Sequence, residues 1–444
     1  MRDLTQGPIP GHLVAMAAPI AAGMLAQTLY FLIDLYFVAG LGDAALAGVG
    51  AAGTAMFVVM ALTQMLGVGA MALVSQAVGR KDHADADLVF NQSLSLAGFC
   101  TLATILSGYW LAGAYVRTVG ADAATIEAGT TYLHWFLPGL ALQYVNMVTM
   151  SGLRGTGVVQ PTMVVQIATV LLNALLAPIL IAGWLTGHPL GVAGAGLASS
   201  IAVVAGTVML ALYFGKLEKY IHFRPSLWAP RLAVWRRMIN IGLPAGGEFG
   251  FMFLYMAVIY WVIRDFGAAA QAGFGLGMRL MQSIFLPAMA IAFATGPIAG
   301  QNFGAGHYGR IRETFGAAAK ISIVLMLTMT LLAQTRPEWL VHGFTRDPEV
   351  VEVASHFLRV ISWNFAASAI IFTCSGVFQG LGYTWPALLA TASRVVTFAI
   401  PVIVISRLPW HRIDHVWYVS VASTWLQALT SFLLLRRTMR VRLA

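Results

Sequence analysis

The chain has 444 residues, 59% hydrophobic and only 10% charged, whereas soluble domains run at about 45–50% and about 25%. Its apolar residues fall in runs of about twenty, the length a helix needs to cross a bilayer core, so a water-soluble fold is excluded. The net charge of +9 is not gathered into a basic stripe interleaved with aromatics, so nucleic acid is not an expected partner, and Cys100 and Cys374 sit inside apolar runs that offer neither a disulfide framework nor a zinc cluster.

In chain order, Met1 to Pro10 precede the first span without a small-residue cleavage site behind a short apolar core, so that span is read as retained. Apolar stretches then follow at 13–38, 46–77, 90–116, 131–152, 161–184, 191–214, 237–263, 270–300, 314–335, 353–377, 386–406 and 415–435. They are continuous runs rich in Ala, Leu, Val and Gly, which exclude a barrel of alternating strands and predict an all-α integral membrane protein of twelve transmembrane helices. Most loop lysines and arginines fall on one side of these spans. The other side holds only Arg117, Arg264, Arg336, Arg346, Arg407 and Arg412. By the positive-inside rule the crowded side is cytoplasmic, which places both termini there and predicts a multi-pass protein of the plasma (cell inner) membrane. Trp110, Trp184, Trp339 and Trp410 fall near span ends, where an amphipathic ring prefers the headgroup layer.

The sequence repeats itself at one offset: 244 minus 19 is 225, and that shift carries Pro19 to Pro244, Gly42 to Gly267, Gln76 to Gln301, Gly155 to Gly380, Gly157 to Gly382 and Pro161 to Pro386. A tandem duplication follows. Residues 1–213 form the expected N-terminal lobe with helices 1–6, 214–236 a cytoplasmic linker, and 237–444 the C-terminal lobe with helices 7–12. An even number of spans per half makes the two six-helix lobes related by a pseudo-two-fold axis along the membrane normal, an arrangement suited to alternating access.

Among the acids, only Asp34 and Glu248 fall deep inside spans. A carboxylate at the bilayer centre costs roughly 3 kcal/mol on insertion scales, so each is expected to face the bundle interior or a wet cavity. Gln27, Tyr30 and Asp34 share one helical face, a polar one that suits a group taking and releasing a cation or proton. The bland alternative is a structural acid neutralised by Arg279 or Arg394 or bonded to Tyr30. Glu248 follows Pro244 by one turn, with Met252 and Tyr255 below it; a carboxylate beside soft apolar and aromatic surface suits a lipophilic cation, although Met and aromatics at helical spacing are more often packing. Pro19 and Pro244 free carbonyls one turn back and allow kinks, either as hinges or as plain architecture. Asn173 can coordinate a cation or bond a neighbouring helix. His134 and His356 read as packed histidines.

Taken together, Pro19, the run Asp34-Leu35-Tyr36-Phe37-Val38-Ala39-Gly40-Leu41-Gly42, Ala47-Gly48-Val49-Gly50, Ser75-Gln76-Ala77-Val78-Gly79, Leu153-Arg154-Gly155-Thr156-Gly157 and their second-half echoes resemble the multidrug and toxic compound extrusion (MATE) family over essentially the whole chain. The resemblance implies an antiporter exporting organic cations, drugs or toxic compounds in exchange for protons or sodium. It assigns cation coupling to Asp34 and Asn173 and a seventh-span carboxylate to Glu248. The chain departs from the family pattern in three places: Ala177-Pro178 stands where some members carry Asp-Pro, only uncharged residues surround Ser368 where others carry an acid, and Glu248 lies one turn rather than two after its proline. With fewer oxygens available, proton coupling is favoured over sodium. No cofactor beyond the coupling ion is expected, membrane lipids are the surrounding partners, and a monomer is expected. The rival readings are a flippase for a lipid-linked saccharide, which would show cavity cations, and a membrane-embedded enzyme, for which no catalytic motif is present.

Overall fold

The computed structural model describes residues 2–342 and 347–442, apart from the side chains of Thr54, Ala268, Ala269 and Glu349. Arg346, one of the basic residues of the sparser side, lies outside them. The elements are α1 (Ile9–Ala39), α2 (Asp43–Gly79), α3 (His83–Val119), α4 (Ala123–Gly155), α5 (Gln160–Ile181), α6 (Val192–Lys216), α7 (Leu232–Ile263), α8 (Ala268–Gly304), α9 (Tyr308–Thr335), α10 (Pro337–Val341), α11 (Pro348–Ile361), α12 (Asn364–Leu381), α13 (Trp385–Ser406) and α14 (Ile413–Arg442). No strand occurs among the described residues.

Among the described residues eleven helices are long and apolar enough to cross a membrane. The twelfth is α4. Its 33 residues span easily, but Tyr132, Tyr144, Asn146, Thr149 and Ser151 make it more polar than its neighbours. Those side chains are buried because α4 is wrapped by α2, α3 and α6, so protein rather than lipid receives them. The expected single helix over 353–377 is instead α11 followed by α12, broken at Ser362 and Trp363. Its counterpart in the first half, α4, runs unbroken through Pro138.

Repetition at offset 225 extends to the element ends. Helix α2 starts at 43 and ends at 79, α8 at 268 and 304; α5 covers 160–181 and α13 covers 385–406. Two glycine pairs recur for a backbone reason. Gly42 and Gly267 precede α2 and α8 at φ 104° and 89°, and Gly157 and Gly382 follow α4 and α12 at φ 77° and 66°, a region that L side chains avoid. Two other helix starts use a carboxylate: Asp82 Oδ1 accepts from Asp85 N at 3.0 Å, and Asp122 Oδ1 accepts from Thr125 N at 2.7 Å.

Two compact units result. The first comprises Met1–Asp3 and Ala18–Gly242, the second Leu4–Ala17 and Leu243–Ala444. These boundaries differ from a division at 1–213, 214–236 and 237–444, and packing explains the difference. Within the first unit, the linker lies on α3 and the first turns of α7 lie on α2. There, a Cβ at Gly242 would stand 1.8 Å from the Met65 carbonyl oxygen and one at Gly69 2.5 Å from that of Met238, so backbone meets backbone. Within the second unit, Leu4 N donates to Gln301 Oε1 (2.9 Å), Asn302 Nδ2 donates to Leu4 O (3.1 Å) and Arg310 Nη2 donates to Gly7 O (2.9 Å). Leu4, Ile9, Leu13 and Met16 form its buried face. Helices α1 and α7 therefore each begin in one unit and continue in the other, and the change falls just before Pro19 and Pro244.

Each unit has its own interior. In the first, α2 and α4 approach at Gly48 and Gly129, where a Cβ on either would stand within 2.8 Å of the other's backbone. In the second, Ile259, Phe274, Phe357, Phe398 and Trp417 build an aromatic core, with Phe274 stacked on Trp417 at 5.6 Å.

Candidate functional site

Asp34 lies in the first unit, on the later part of α1 that packs along α5. A Cβ at Gly23 would stand 1.9 Å from Gln166 Oε1, and Ala26, Tyr30 and Val170 pack with Ile33 and Ile167. Contacts therefore advance together along both helices, which run parallel with an offset of about 143, since 166 minus 23 gives 143 and 170 minus 26 gives 144. That register sets Asn173 level with Tyr30, one turn from Asp34. Asn173 is fully buried and Asp34 and Tyr30 nearly so, while Gln27, one turn earlier, is half-buried.

Helices α4 and α6 complete the surroundings. Tyr30 interacts with Asp34 and Ser199, and Tyr132 interacts with Asp34 and Tyr30. Yet the Asp34 Oδ1, the Tyr30 hydroxyl, the Ser199 hydroxyl and both amide atoms of Asn173 lack a hydrogen-bond partner within normal limits. Buried polar atoms are nearly always paired, so a group of five unpaired ones in one place is unusual. No cation offsets the carboxyl: among the described residues neither Asp34 nor Glu248 forms an ion pair. Arg279 is exposed, and Arg394 instead places its guanidinium 4.2 Å over the Tyr255 ring. A metal is not held by clustered side chains either, for no group of three His, Cys, Asp or Glu residues with that capacity occurs among the described residues.

Glu248 belongs to the second unit. Its Oε1 is buried without a hydrogen bond, and the adjacent Gly247 sits close enough to α13 that a Cβ would meet Leu388 at 3.1 Å. Its two companions separate. Met252 is half exposed, whereas Tyr255 is buried, shares a 2.7 Å hydrogen bond with Ser420 and packs its ring 4.6 Å from Phe398 under Arg394. Its aromatic face already carries a cation, so the structure does not bring Tyr255 and Met252 together on one open surface.

The duplication makes the two units comparable position by position. Adding 225 turns Tyr30 into Tyr255, Asp34 into Ile259, Asn173 into Phe398 and Tyr132 into Phe357, all buried in the aromatic core of the second unit. The polar cluster thus exists in one copy. Glu248 in turn occupies the position of Gly23, which is tight against Gln166 in the first unit.

A second polar assembly escaped the sequence reading. Asp87, Asn91 and Gln92 are fully or almost fully buried beneath the linker. Asp87 accepts from His222 N (2.9 Å) and pairs with Arg224 Nε (2.8 Å). Asn91 donates to His222 O (2.8 Å) and accepts from Arg224 N (2.8 Å) and Trp228 Nε1 (2.9 Å). Gln92 donates to Ala229 O (2.8 Å) and accepts from Arg231 N (2.8 Å). Their spacing on one helical face was the available signal. It was masked because polar residues at a span end ordinarily meet headgroups and water.

Comparison with known proteins follows the same architecture. Residues 19–179 and 244–405 each match the MatE family model, the two halves meeting it separately. The multidrug export protein MepA of Staphylococcus aureus (strain MSSA476) is 25% identical over 424 residues, covering 94% of this chain and 92% of the relative. The probable multidrug resistance protein NorM of Thermotoga maritima is 25% identical over 394 residues, covering 88% and 84%. A solved transporter of the MOP superfamily from Pyrococcus furiosus superposes with a TM-score of 0.92 at 24% identity, covering 99% of this chain and 98% of that one, and shares its fold. With both halves matched and the helices in the same order, the chain belongs to the MatE family of multi-pass membrane transporters.

Proposed function

We propose that the chain is a secondary antiporter that exports organic cations, drugs or toxic compounds in exchange for protons by alternating access. MepA and NorM are named for multidrug export and resistance, which supports drug-like substrates here. The observation that carries the coupling is the Asp34 carboxyl, buried with no cation beside it and set among hydroxyl and amide groups that retain hydrogen-bonding capacity. A group so placed exchanges a proton for a positive substrate by simple competition. Protonation from outside removes the negative charge, the cation departs outward, and release of the proton inward resets the carrier. Tyr30, Gln27 and Asn173 supply polar groups around the proton-bearing carboxyl that can pair with it as its charge changes. Glu248 supplies negative charge to the substrate in the second unit, and Met252 adapts to its shape.

Sodium is the weaker choice, because it needs several converging oxygens and Asp34 is the single carboxylate of its cluster. A saccharide flippase would need free cations along its wall; Arg394 is engaged on Tyr255. The protein works as a monomer in the plasma membrane with both termini cytoplasmic, in keeping with the distribution of arginine and lysine.

Reconstitution in vesicles tests this. Export of a fluorescent organic cation is expected under a pH gradient alone, to fall by roughly tenfold or more in Asp34→Asn, and to lose substrate affinity in Glu248→Gln. Export driven by sodium without a pH gradient and indifferent to pH would overturn proton coupling. Full activity in both variants would overturn the sites.

A further inference from the structure

Gln427 of α14 is almost fully buried in the second unit, and its amide is held in one orientation. Its Nε2 donates to Thr391 Oγ1 of α13 (3.2 Å), and the Thr391 hydroxyl donates its single proton to Ala387 O (3.1 Å). A hydroxyl whose proton is engaged can only accept, so Thr391 fixes the amide with Nε2 toward α13 and Oε1 turned away. That Oε1 is buried and has no hydrogen bond, which is uncommon in a folded interior.

Contacts within the second unit set this oxygen level with Glu248. Helix α7 runs parallel with α13, since a Cβ at Gly247 would stand 3.1 Å from Leu388 while Tyr255, further along, lies under Arg394 and against Phe398. Helix α14 runs against both: Ser420 bonds Tyr255 (2.7 Å) beside Phe398, and the later Gln427 bonds the earlier Thr391. Glu248 lies seven residues before Tyr255 and Gln427 seven after Ser420. Seven residues are about two turns, so each side chain keeps the face of its bonded neighbour and the two meet at one level. Glu248 Oε1 is likewise buried without a hydrogen bond.

Two unpaired oxygens on facing helices are answered together only by a hydrogen-bond donor. The aromatic surface on this face of α7 is the Tyr255 ring, which the Arg394 guanidinium covers at 4.2 Å, so it is closed to a quaternary ammonium, the cation that aromatic faces recognise. Met252, one turn from Glu248, is half exposed and leaves room beside the pair. Resting on the export of organic cations proposed above, we infer that Gln427 determines specificity at Glu248: the site selects a protonated primary or secondary amine, whose N–H groups bond the Glu248 carboxylate and Gln427 Oε1 together, over a quaternary ammonium. The carboxylate attracts either cation by charge. The amide oxygen tells them apart, because a methylated nitrogen leaves it buried without a donor.

Binding to the purified full-length protein in detergent tests this, with two fluorescent probes of one aromatic body, one ending in a protonated methylamino group and the other in trimethylammonium. The methylamino probe is expected to bind at least about tenfold more tightly. Gln427→Leu should remove most of that preference by weakening the methylamino probe alone, whereas Gln427→Glu, which keeps an acceptor oxygen, should preserve it. Thr391→Val releases the amide to turn either end toward Glu248 and should lower the preference part-way. If Gln427→Leu fails to fold, the wild-type ratio and Thr391→Val decide. Equal binding of both probes to the wild type, an equal loss of both in Gln427→Leu, or an unchanged ratio in the folded Leu and Val variants would overturn the role of Gln427 while leaving organic-cation export in place. Binding of neither probe would overturn the organic-cation reading itself, and this inference with it.

Discussion

Asn173 shows how one residue can oppose stability while serving a site. Its side chain is fully buried and neither amide atom has a hydrogen bond, and an unsatisfied buried polar group costs about 1–3 kcal/mol. In the second unit the same position is Phe398, packed in the aromatic core. Replacing Asn173 by leucine, which has the same number of side-chain heavy atoms and the same branching, is therefore expected to raise resistance to thermal unfolding in detergent by about 1–2 kcal/mol while lowering coupled export. An unfolding midpoint that drops would mean that the amide is satisfied in the folded protein; a midpoint that rises with export intact would remove Asn173 from the coupling site. Asp34 was legible in the sequence because a lone acid in a long apolar run has few structural explanations. Tyr132 and Ser199 were not, since tyrosine and serine occur throughout membrane helices and only the folding of the first unit brings Tyr132 near the carboxyl and Ser199 near Tyr30.

At the scale of elements, the hydropathy pattern and the offset of 225 carried the twelve spans, because bilayer thickness fixes helix length and the duplication repeats helix ends along with residues. The break between α11 and α12 was hidden. Ser362-Trp363-Asn364 lies within one apolar stretch, and hydropathy does not register a two-residue interruption of a helix. The strap over α3 was hidden for the opposite reason, being polar residues where polar residues are ordinary. That strap makes a sharp prediction. Asn91 is fully buried and holds three linker groups, so Asn91→Ala leaves several of them without partners and should cost about 2–4 kcal/mol. Limited proteolysis reads it directly: trypsin is expected to cut at Lys219 or Arg231 several times faster in the variant, and an unchanged cleavage rate would show that the strap is held by other contacts.

At the scale of the whole molecule, the chain is built from two units that exchange their opening segments. Helix α1 begins in the second unit and α7 in the first, and both change unit within two residues of a proline. Proline removes the amide hydrogen that would reach the carbonyl one turn back and crowds that carbonyl, so helix bending costs least at Pro19 and Pro244. In the alternating-access reading proposed above, movement of one unit against the other is absorbed where the chain passes between them, at Asp3–Leu4, Ala17–Ala18 and Gly242–Leu243. The linker is bonded along α3, and the opening segment of α1 is bonded to α8 and α9. Bending at the two prolines is what remains. Pro19→Ala and Pro244→Ala restore the missing hydrogen bond and stiffen the helix, so each is expected to lower the maximal export rate several-fold while leaving the affinity for a fluorescent organic cation in detergent unchanged. Binding and transport measured on the same preparation separate the possibilities. Loss of both would mark the prolines as part of the binding architecture, and loss of neither would mean that the units move without bending these helices.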